Sequence, residues 1–397
     1  MNYENWISYR YLTARKEGFL AFLHVVSIVG VAIGVAALIV VTGIMTGFGN
    51  TLRDRIIGTT PHIKIEKEKG IQEFQKIEKE IASLKGVVGT SAYIQGNIFL
   101  EDSGHAVSQV IHGISPRAED RVTEIKEYLV QGDITDLDGG GIIIGSELAR
   151  YFGYMLGDEV TLIAPGSGIS GHGWRYQLNI VGIFNTGMVD YDMNLSLVSL
   201  TKAKEIFALP ENTVTGIGVR LADPYAAADI KENIHESLGY SFSVNTWIDI
   251  NRNLFKALSL EKLGLFIVLS LMVLVASFNI VNTLIVTITS KIHDIGILKS
   301  FGVTNSSIRR IFTKQGIFIG LVGTFWGVVG GLVSAYLLAT YFKVPQEIYA
   351  IDRVPVEIQL SDMLIIVTSA LTISFLASIY PAARAARLQP VEALRYE

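Results

Sequence analysis

Four long apolar segments break an otherwise patterned chain. They run from Gly18 to Leu52, Leu263 to Ser290, Gln315 to Phe342 and Met363 to Ala383, and none contains Asp, Glu, Lys or Arg. Each reaches the ~20 residues that cross a bilayer as a helix. A charge at mid-bilayer costs roughly 2.5–3.5 kcal/mol, so four charge-free stretches read as spans rather than as helices buried in a soluble protein. The predicted spans cover 19–47, 263–290, 315–342 and 363–383. The first follows Arg10, Arg15 and Lys16 but is far longer than the ~7–15 residue core of a cleaved signal. It reads as an uncleaved anchor whose C-terminal end projects beyond the membrane.

Between the first two spans, residues 48–261 show mixed periodicity. Alternation predicts a strand at 62–67, and strand-like runs recur at 91–100, 106–113, 142–144, 159–164, 176–184, 195–200, 214–221 and 241–247. Helical spacing appears at 71–85, 117–129, 146–152, 201–208 and 225–238. The strand–helix–strand order of 61–101 recurs at 214–247, with β-rich material at 102–213. The predicted fold class is therefore a membrane α-helical protein with four transmembrane helices. A large extracytoplasmic α/β plus β-rich domain is inserted between helices 1 and 2.

Charge orients this arrangement. The N-terminal 1–18, the loop 291–314 (Lys291, Lys299, Arg309, Arg310, Lys314) and the tail 384–397 (Arg384, Arg387, Arg395) are rich in basic residues, whereas 343–362 carries only Lys343 and Arg353. The positive-inside bias places both termini and 291–314 in the cytoplasm, and 48–261 outside. Composition agrees: 50% of the 397 residues are hydrophobic, 18% are charged and mean hydropathy is +0.41. The net charge of −4 offers no basic face for nucleic acid. With no cysteine, disulfides, thiolate nucleophiles and cysteine-bound metals are excluded.

Candidate chemistry is sparse. No GxxxxGK[ST] phosphate loop is present, and the seven histidines are scattered; the expectation is a non-enzyme with no cofactor or metal of its own. Gly166, Gly168 and Gly171 fit G-x-G-x-x-G, but the following GWRYQLNIVGIF reads as a strand, not the helix a dinucleotide site needs. Pro165–Arg175 reads instead as a hairpin loop. In 291–311, Ile292, Ile295, Leu298 and Phe301 recur at three-residue spacing. Gly302 suits a left-handed cap, and Thr304 or Asn305 can cap the next helix. Such a segment can dock in a partner's groove or lie on lipid. Gly316, Gly320, Gly323 and Gly327, with Gly30 and Gly34, form smooth strips for close helix packing. Asn279 and Asn282 need partners in lipid, either across a helix seam or along a wet cleft.

The stretches GFGNTLRDRIIGTTPHIKI (47–65), GIIIGSELARYFGYMLGDEVTLIAP (141–165), VGIFNTGMVDYD (181–192), FNIVNTLIVTITSKIHDIGILKSFGVTNSSIRRIF (278–312) and YPAARAARLQPVEALRYE (380–397) carry a resemblance. The chain resembles lipoprotein-releasing permeases of the LolC/LolE type, within the FtsX/MacB-like class of ABC-transporter membrane subunits. LRDRIIGTTPH and TGMVDYD look specific to that branch. The resemblance implies a MacB-like periplasmic core domain, an FtsX-like permease region at 263–390 and a place in the bacterial inner membrane. It also implies extraction of acylated lipoproteins from the outer leaflet, driven by a separate dimer of ATPase subunits that bind ATP and Mg. A second permease copy or paralogue and a periplasmic lipoprotein carrier complete the machine. Ile292, Asp294, Ile295, Leu298, Lys299, Phe301 and Gly302 would couple to the ATPase. Pro165, Gly168, Trp174, Arg175 and Gln177 would contact the carrier. Val40, Ile44, Phe266, Ser270, Ser277 and Asn279 would line a substrate cleft between the first two spans. The rival readings are an antibiotic- or peptide-exporting mechanotransmitter and a scaffold that activates cell-wall hydrolases.

Overall fold

The computed structural model describes residues 3–13, 18–102, 104–164, 174–342 and 354–389. Two compact units divide the chain. One comprises Met1–Gly49, Ala257–Lys343 and Arg353–Glu397; the other comprises Asn50–Lys256 and Val344–Asp352.

The first unit is helical. Its elements are α1 (Tyr3–Thr13), most of α2 (Gly18–Thr59), most of α10 (Arg252–Ser290), α11 (Ile292–Ser300), α12 (Asn305–Tyr341) and α13 (Leu360–Ala386). Among the described residues, α2, α12 and α13 are each long and apolar enough to cross a membrane. A fourth such element is the end of α10 taken together with α11 across a 63° bend. The helices extend beyond the predicted spans because polar turns follow the apolar stretches without a helix breaker: α2 runs on through LRDRIIGT, and α10 starts at RNLFKALSLEK. Inside the unit, Val31, Val35 and Ile39 of α2 pack with Ile280 and Leu284 of α10, Ile319 of α12 and Ile366 of α13.

The second unit interleaves two sheets. β1 (Ile63–Gln72), α3 (Phe74–Ala82), β2 (Val87–Asp102), β9 (Thr213–Leu221), α8 (Ala227–Leu238) and β10 (Ser243–Thr246) form an antiparallel sheet in the order β10-β1-β9-β2. That order is the split β-α-β arrangement of ferredoxin-like folds. The intervening chain supplies β3 (His105–Ile114), α4 (Pro116–Glu119), β4 (Leu129–Gly132), β5 (Ile142–Gly145), α5 (Ser146–Phe152), β6 (Glu159–Ala164), β7 (Trp174–Phe184), α6 (Val189–Asn194), β8 (Leu195–Ser199) and α7 (Leu200–Ile206). Here β2 pairs β3, β3 pairs β8, β8 pairs β5, β5 pairs β7, and β6 joins β7 back to β2. Six strands thus close on themselves, which removes free edges, and β4 adds on to β7.

The sixteen residues of β2 belong to both sheets. Val87–Tyr93 pair with β9 and Ile94–Asp102 with β3, so the two sheets share one strand and one core, from Ile63 and Ile217 to Leu162 and Ile180.

Two helical expectations are corrected. The segment 117–129 forms only α4 and a 3-10 turn at Ile125–Tyr128. Helix is abandoned after Glu119 because the Glu124 N–H is taken by the Gly58 carbonyl at 2.7 Å. Residues 71–85 keep a helix only from Phe74 to Ala82, since Ile71 and Gln72 pair with Val214 and Thr213. A short α9 (Trp247–Ile250) leads from β10 into α10.

Candidate functional site

Three places in the molecule hold polar or tightly packed contacts at the ends and seams of the long helices. At the first, α11 follows α10 after a bend and ends in a left-handed turn: Gly302 has φ +84. Val303 N–H donates to Leu298 O at 3.1 Å and Gly302 N–H to Lys299 O at 3.0 Å, the pairing of a Schellman cap. Thr304 Oγ1 then accepts from Ser307 N–H and starts α12. The apolar residues at three-residue spacing divide here. Ile295 is fully buried and Leu298 packs beside it against Ile308, Phe312, Ala382 and Ala385. Phe301, the residue that caps α11, has left that face and is 83% exposed. Lys299 turns inward and donates to the carbonyls of Ala386 at 2.7 Å and Leu388 at 2.6 Å, closing the end of α13. Asp294 pairs with Lys291 at 3.8 Å.

A contributor that hydrophobic patterning missed is α1. Glu4, almost fully buried, pairs with Lys314 at 3.1 Å and Arg310 at 3.7 Å, and Tyr3 Oη donates to Ser307 Oγ at 2.9 Å. Tyr11 stacks on Phe312, with Lys291 over its ring. Burial, then the neighbouring Asp294 carboxylate, push the Tyr11 phenol up to about 12. The clue in the sequence was an acidic residue, Glu4, that could pair with the basic residues of 309–314.

The second place is the helix seam. A Cβ at Gly320 would lie 2.5 Å from Ser374 Cβ, and one at Gly316 would strike Ser378, so both glycines admit α13. A Cβ at Gly323 would lie 2.8 Å from Val31 and one at Gly327 2.6 Å from Val35, so these admit α2. The glycine strip therefore serves two helices. Gly30 faces Asn279 of α10, whereas Gly34 has open space. Polar groups also bind α2 to α10: Ser27 Oγ and Thr283 Oγ1 are 2.6 Å apart, and Thr287 Oγ1 and His24 Nε2 are 3.3 Å apart. Of the predicted cleft residues, Val40, Ile44, Ser277 and Asn279 are half-buried. The side chains of Phe266 and Ser270 lie outside the described set. Asn282, expected to find a partner, is exposed on the surface of the chain.

The third place lies within the second unit, where the ends of α2 and α10 that belong to it pack on its sheets. Past the apolar stretch, α2 ends in R-I-I-G-T-T-P-H. The Thr60 hydroxyl and N–H both return to Ile56 O, at 2.6 and 3.0 Å, and Pro61 stops the helix. His62 Nδ1 then accepts from Leu221 N–H at 3.0 Å, and its carbonyl accepts from Trp247 N–H at 2.9 Å. The T-G-M-V-D turn closes on the other side. Buried Asp192 accepts from Thr186 N–H at 2.9 Å, from the Thr186 hydroxyl at 2.8 Å and from Gly187 N–H at 3.1 Å. Gly187 has φ +72, and any Cβ there would collide with the Arg55 guanidinium. The two stretches singled out as branch-specific, 52–62 and 186–192, are thus one contact in space. That pairing was their unread signal.

At the start of α10, Thr246 and Asp249 form a capping box, and Asp249 binds Lys231 at 2.9 Å and Arg252 at 3.0 Å. Burial pushes the Asp249 carboxyl up, but the bonds from Lys231, Arg252 and Thr246 outweigh it and hold it well below the usual carboxylate range. Trp247 is 1% exposed, donates Nε1–H to Pro224 O, and meets Tyr225 and Phe255 edge-on at 5.9 and 5.4 Å. The Arg53 guanidinium lies over Tyr225 at 5.9 Å. The outer ends of α2, through Arg53, and of α10, through Phe255, therefore share one aromatic cluster.

Of the predicted carrier-contact residues, Pro165 and Gly168 lie outside the described residues, as does the rest of the G-x-G-x-x-G stretch. Trp174, Arg175 and Gln177 open β7 and are exposed. Trp174 pairs with Ala164 at the end of the β6–β7 ladder and is 69% exposed, while Arg175 is held by Glu101 at 2.9 Å.

Comparison with known proteins gives two family matches: the FtsX-like permease C-terminal family over residues 266–390 and the MacB-like periplasmic core domain over residues 25–237. The lipoprotein-releasing system transmembrane protein LolC of Neisseria meningitidis is 33% identical, over 99% of both chains. LolE of Haemophilus influenzae is 28% identical, again over 99% of both. Among solved structures, the periplasmic region of MacB from Actinobacillus actinomycetemcomitans covers 52% of this chain and 97% of its own, at 12% identity and a TM-score of 0.34.

Proposed function

The chain belongs to the LolC/LolE family of lipoprotein-releasing permeases, and from that premise we propose how its parts divide the work. It is an inner-membrane, non-catalytic permease subunit of an ABC transporter, with a MacB-like periplasmic domain. In our reading four helices span the bilayer, α10 being the second span, and both termini face the cytoplasm because basic residues gather at the loops on that side. A dimer of ATPase chains, which alone binds ATP and Mg, docks beneath α11. There Phe301 is the exposed anchor, with Ile292, Asp294 and Gly302 beside it, while Ile295, Leu298 and Lys299 tie α11 to α12 and α13. A second permease copy or a sister chain covers the outward face of α10, where Asn282 would otherwise meet lipid. Cargo enters laterally beside Val40, Ile44, Ser277 and Asn279, and a periplasmic carrier meets the β6–β7 hairpin at Trp174.

The observation that carries this reading is the aromatic cluster of Tyr225, Trp247 and Phe255 with Arg53. Through it, movement of either span's outer end is delivered to the outer domain. Energetics requires such a relay. A cargo with three acyl chains of roughly fifteen methylenes, at ~0.8 kcal/mol each, is held by on the order of 35 kcal/mol. Release into water is excluded at that cost, so lipid must pass from bilayer to cleft to carrier without full hydration. Depletion of the protein followed by membrane fractionation tests the assignment. Outer-membrane lipoproteins should accumulate in the inner membrane, and their normal arrival would overturn it.

A further inference from the structure

Val31, Val35, Ile39, Gly43 and Gly47 of α2 form one buried line at four-residue spacing. α12 covers its first three members, with Gly323, Gly327 and Gly331 against Val31, Val35 and Ile39. The last two are covered by a different piece of chain, the non-helical stretch 354–359 that leads into α13. Glu357 N–H donates to Gly43 O at 3.0 Å. A Cβ at Gly47 would collide with the Pro355 carbonyl, and one at Gly43 would lie 3.2 Å from Val356 Cγ1 and 3.4 Å from Ile358 Cγ1. Gly43 and Gly47 are thus a seat that admits a foreign backbone. Only about 10 Å³ is left between this stretch, Ile39 and Thr42 of α2 and the start of α13, room for about one water.

The two covers are held differently. Val31, Val35 and Ile39 are buried beneath α12, and so are the glycines Gly323, Gly327 and Gly331 that meet them. In 354–359 no residue is buried: Val354, Pro355 and Val356 are half-buried, and Glu357, Ile358 and Gln359 are exposed. A segment with so few buried contacts opens locally while the fold around it persists. Its seat also borders the entry face. Val40, Gly43, Ile44 and Gly47 stand at i, i+3, i+4 and i+7, on one side of the helix. An acyl chain beside Val40 and Ile44 cannot share that side with the stretch 354–359, because the space left there holds no more than a water.

We propose that 354–359 is a movable strap, seated on Gly43 and Gly47, that closes the C-terminal half of the entry face of α2 until the acyl chains of the cargo displace it. Gly43 and Gly47 are positioning residues for this closure. The seat adjoins Ile39, Val40 and Ile44, all apolar, so a hydrocarbon chain is the chemistry that replaces the strap there. The proposal rests on the reading that cargo enters beside Val40 and Ile44.

The chain has no cysteine, so Gly43→Cys combined with Val356→Cys supplies a single cross-link, with the second sulfur falling where Val356 Cγ1 now stands. The test uses the full transporter in lipid nanodiscs, and a triacylated lipoprotein as the probe. Oxidation should close the disulfide, counted by loss of free thiols. Lipoprotein co-purifying without nucleotide should then fall at least about tenfold and return on reduction, which also establishes that the protein is folded. In a chain carrying Val356→Cys alone, cargo should quicken maleimide labelling at least about threefold, as expected of a segment that is lifted open. Gly47→Val should quicken the same labelling without cargo, whereas Gly34→Val, at a glycine with open space around it, should not. Equal loading of the oxidised and reduced protein, with the cross-link complete, would refute the strap and leave the entry reading standing. A disulfide that does not form, or labelling indifferent to both cargo and Gly47→Val, would refute the seat. Reduced protein that loads no lipoprotein would sink the entry reading and the strap together.

Discussion

Large apolar side chains face outward from the spanning helices and inward in the outer domain. Phe325 and Trp326 of α12 are 62% and 58% exposed, whereas Ile63 and Ile65 of β1 are wholly buried. Where the outer domain fills its centre with isoleucine and leucine, α12 meets its neighbours through glycine against Ser374, Val31 and Val35. The two regions answer to different solvents. In water, removal of apolar area is the driving force. In lipid that force between helices vanishes, and close van der Waals contact between small residues takes its place.

The sharpest way to break this comparison is to add bulk at the seam. Gly320→Val should prevent stable packing of α12 on α13, measured as loss of folded, monodisperse protein after detergent extraction. Gly330→Ala, with open space around it, should leave the yield unchanged. Truncation should show the opposite sensitivity. Ile65→Ala in the outer domain should cost about 2–5 kcal/mol, read as a lower melting temperature. Leu364→Ala, on a residue of α13 that is 57% exposed, should cost less than about 0.5 kcal/mol.

Electrostatics sharpens the contrast at the start of α10. The Asp249 carboxyl is held below its ordinary value by Lys231 and Arg252 against the opposing effect of burial. A group whose folded value is depressed stabilises the protein above its ordinary titration range, and that contribution is lost as pH falls through the folded value. Asp249→Asn should therefore cost about 1–2 kcal/mol at neutral pH, after allowance for partial exposure. The gap from the wild type in thermal melts should close on acidification below about pH 4. The smallest expected effect on stability is at the hairpin. Trp174→Ala should move the melting temperature by no more than about 0.5 kcal/mol's worth. If the carrier meets that hairpin, transfer of lipoprotein to carrier should still fall severalfold in a reconstituted release assay.

Much of the architecture was legible along the chain. Charge-free runs of bilayer length marked three long apolar helices and a bent fourth element among the described residues, and apolar runs marked strands such as 159–164, because both signals are local and repeat within one element. The cap at Gly302 and Thr304 was legible for the same reason. Other features depended on distant partners. The turn after Glu119 is set by the Gly58 carbonyl. Phe301 leaves the face of Ile295 because α11 ends one residue earlier. The closed six-stranded pairing needs β6 to meet both β7 and β2.

Hydropathy alone marked which stretches are apolar enough to enter lipid, since transfer free energy is a sum over residues in one segment. Only the folded chain decided that Arg55 meets Gly187, that Arg53 and Phe255 share one aromatic cluster, and that Glu357 meets Gly43. Each of these depends on residues well over a hundred positions apart. A one-dimensional pattern carries no term for such long-range contacts.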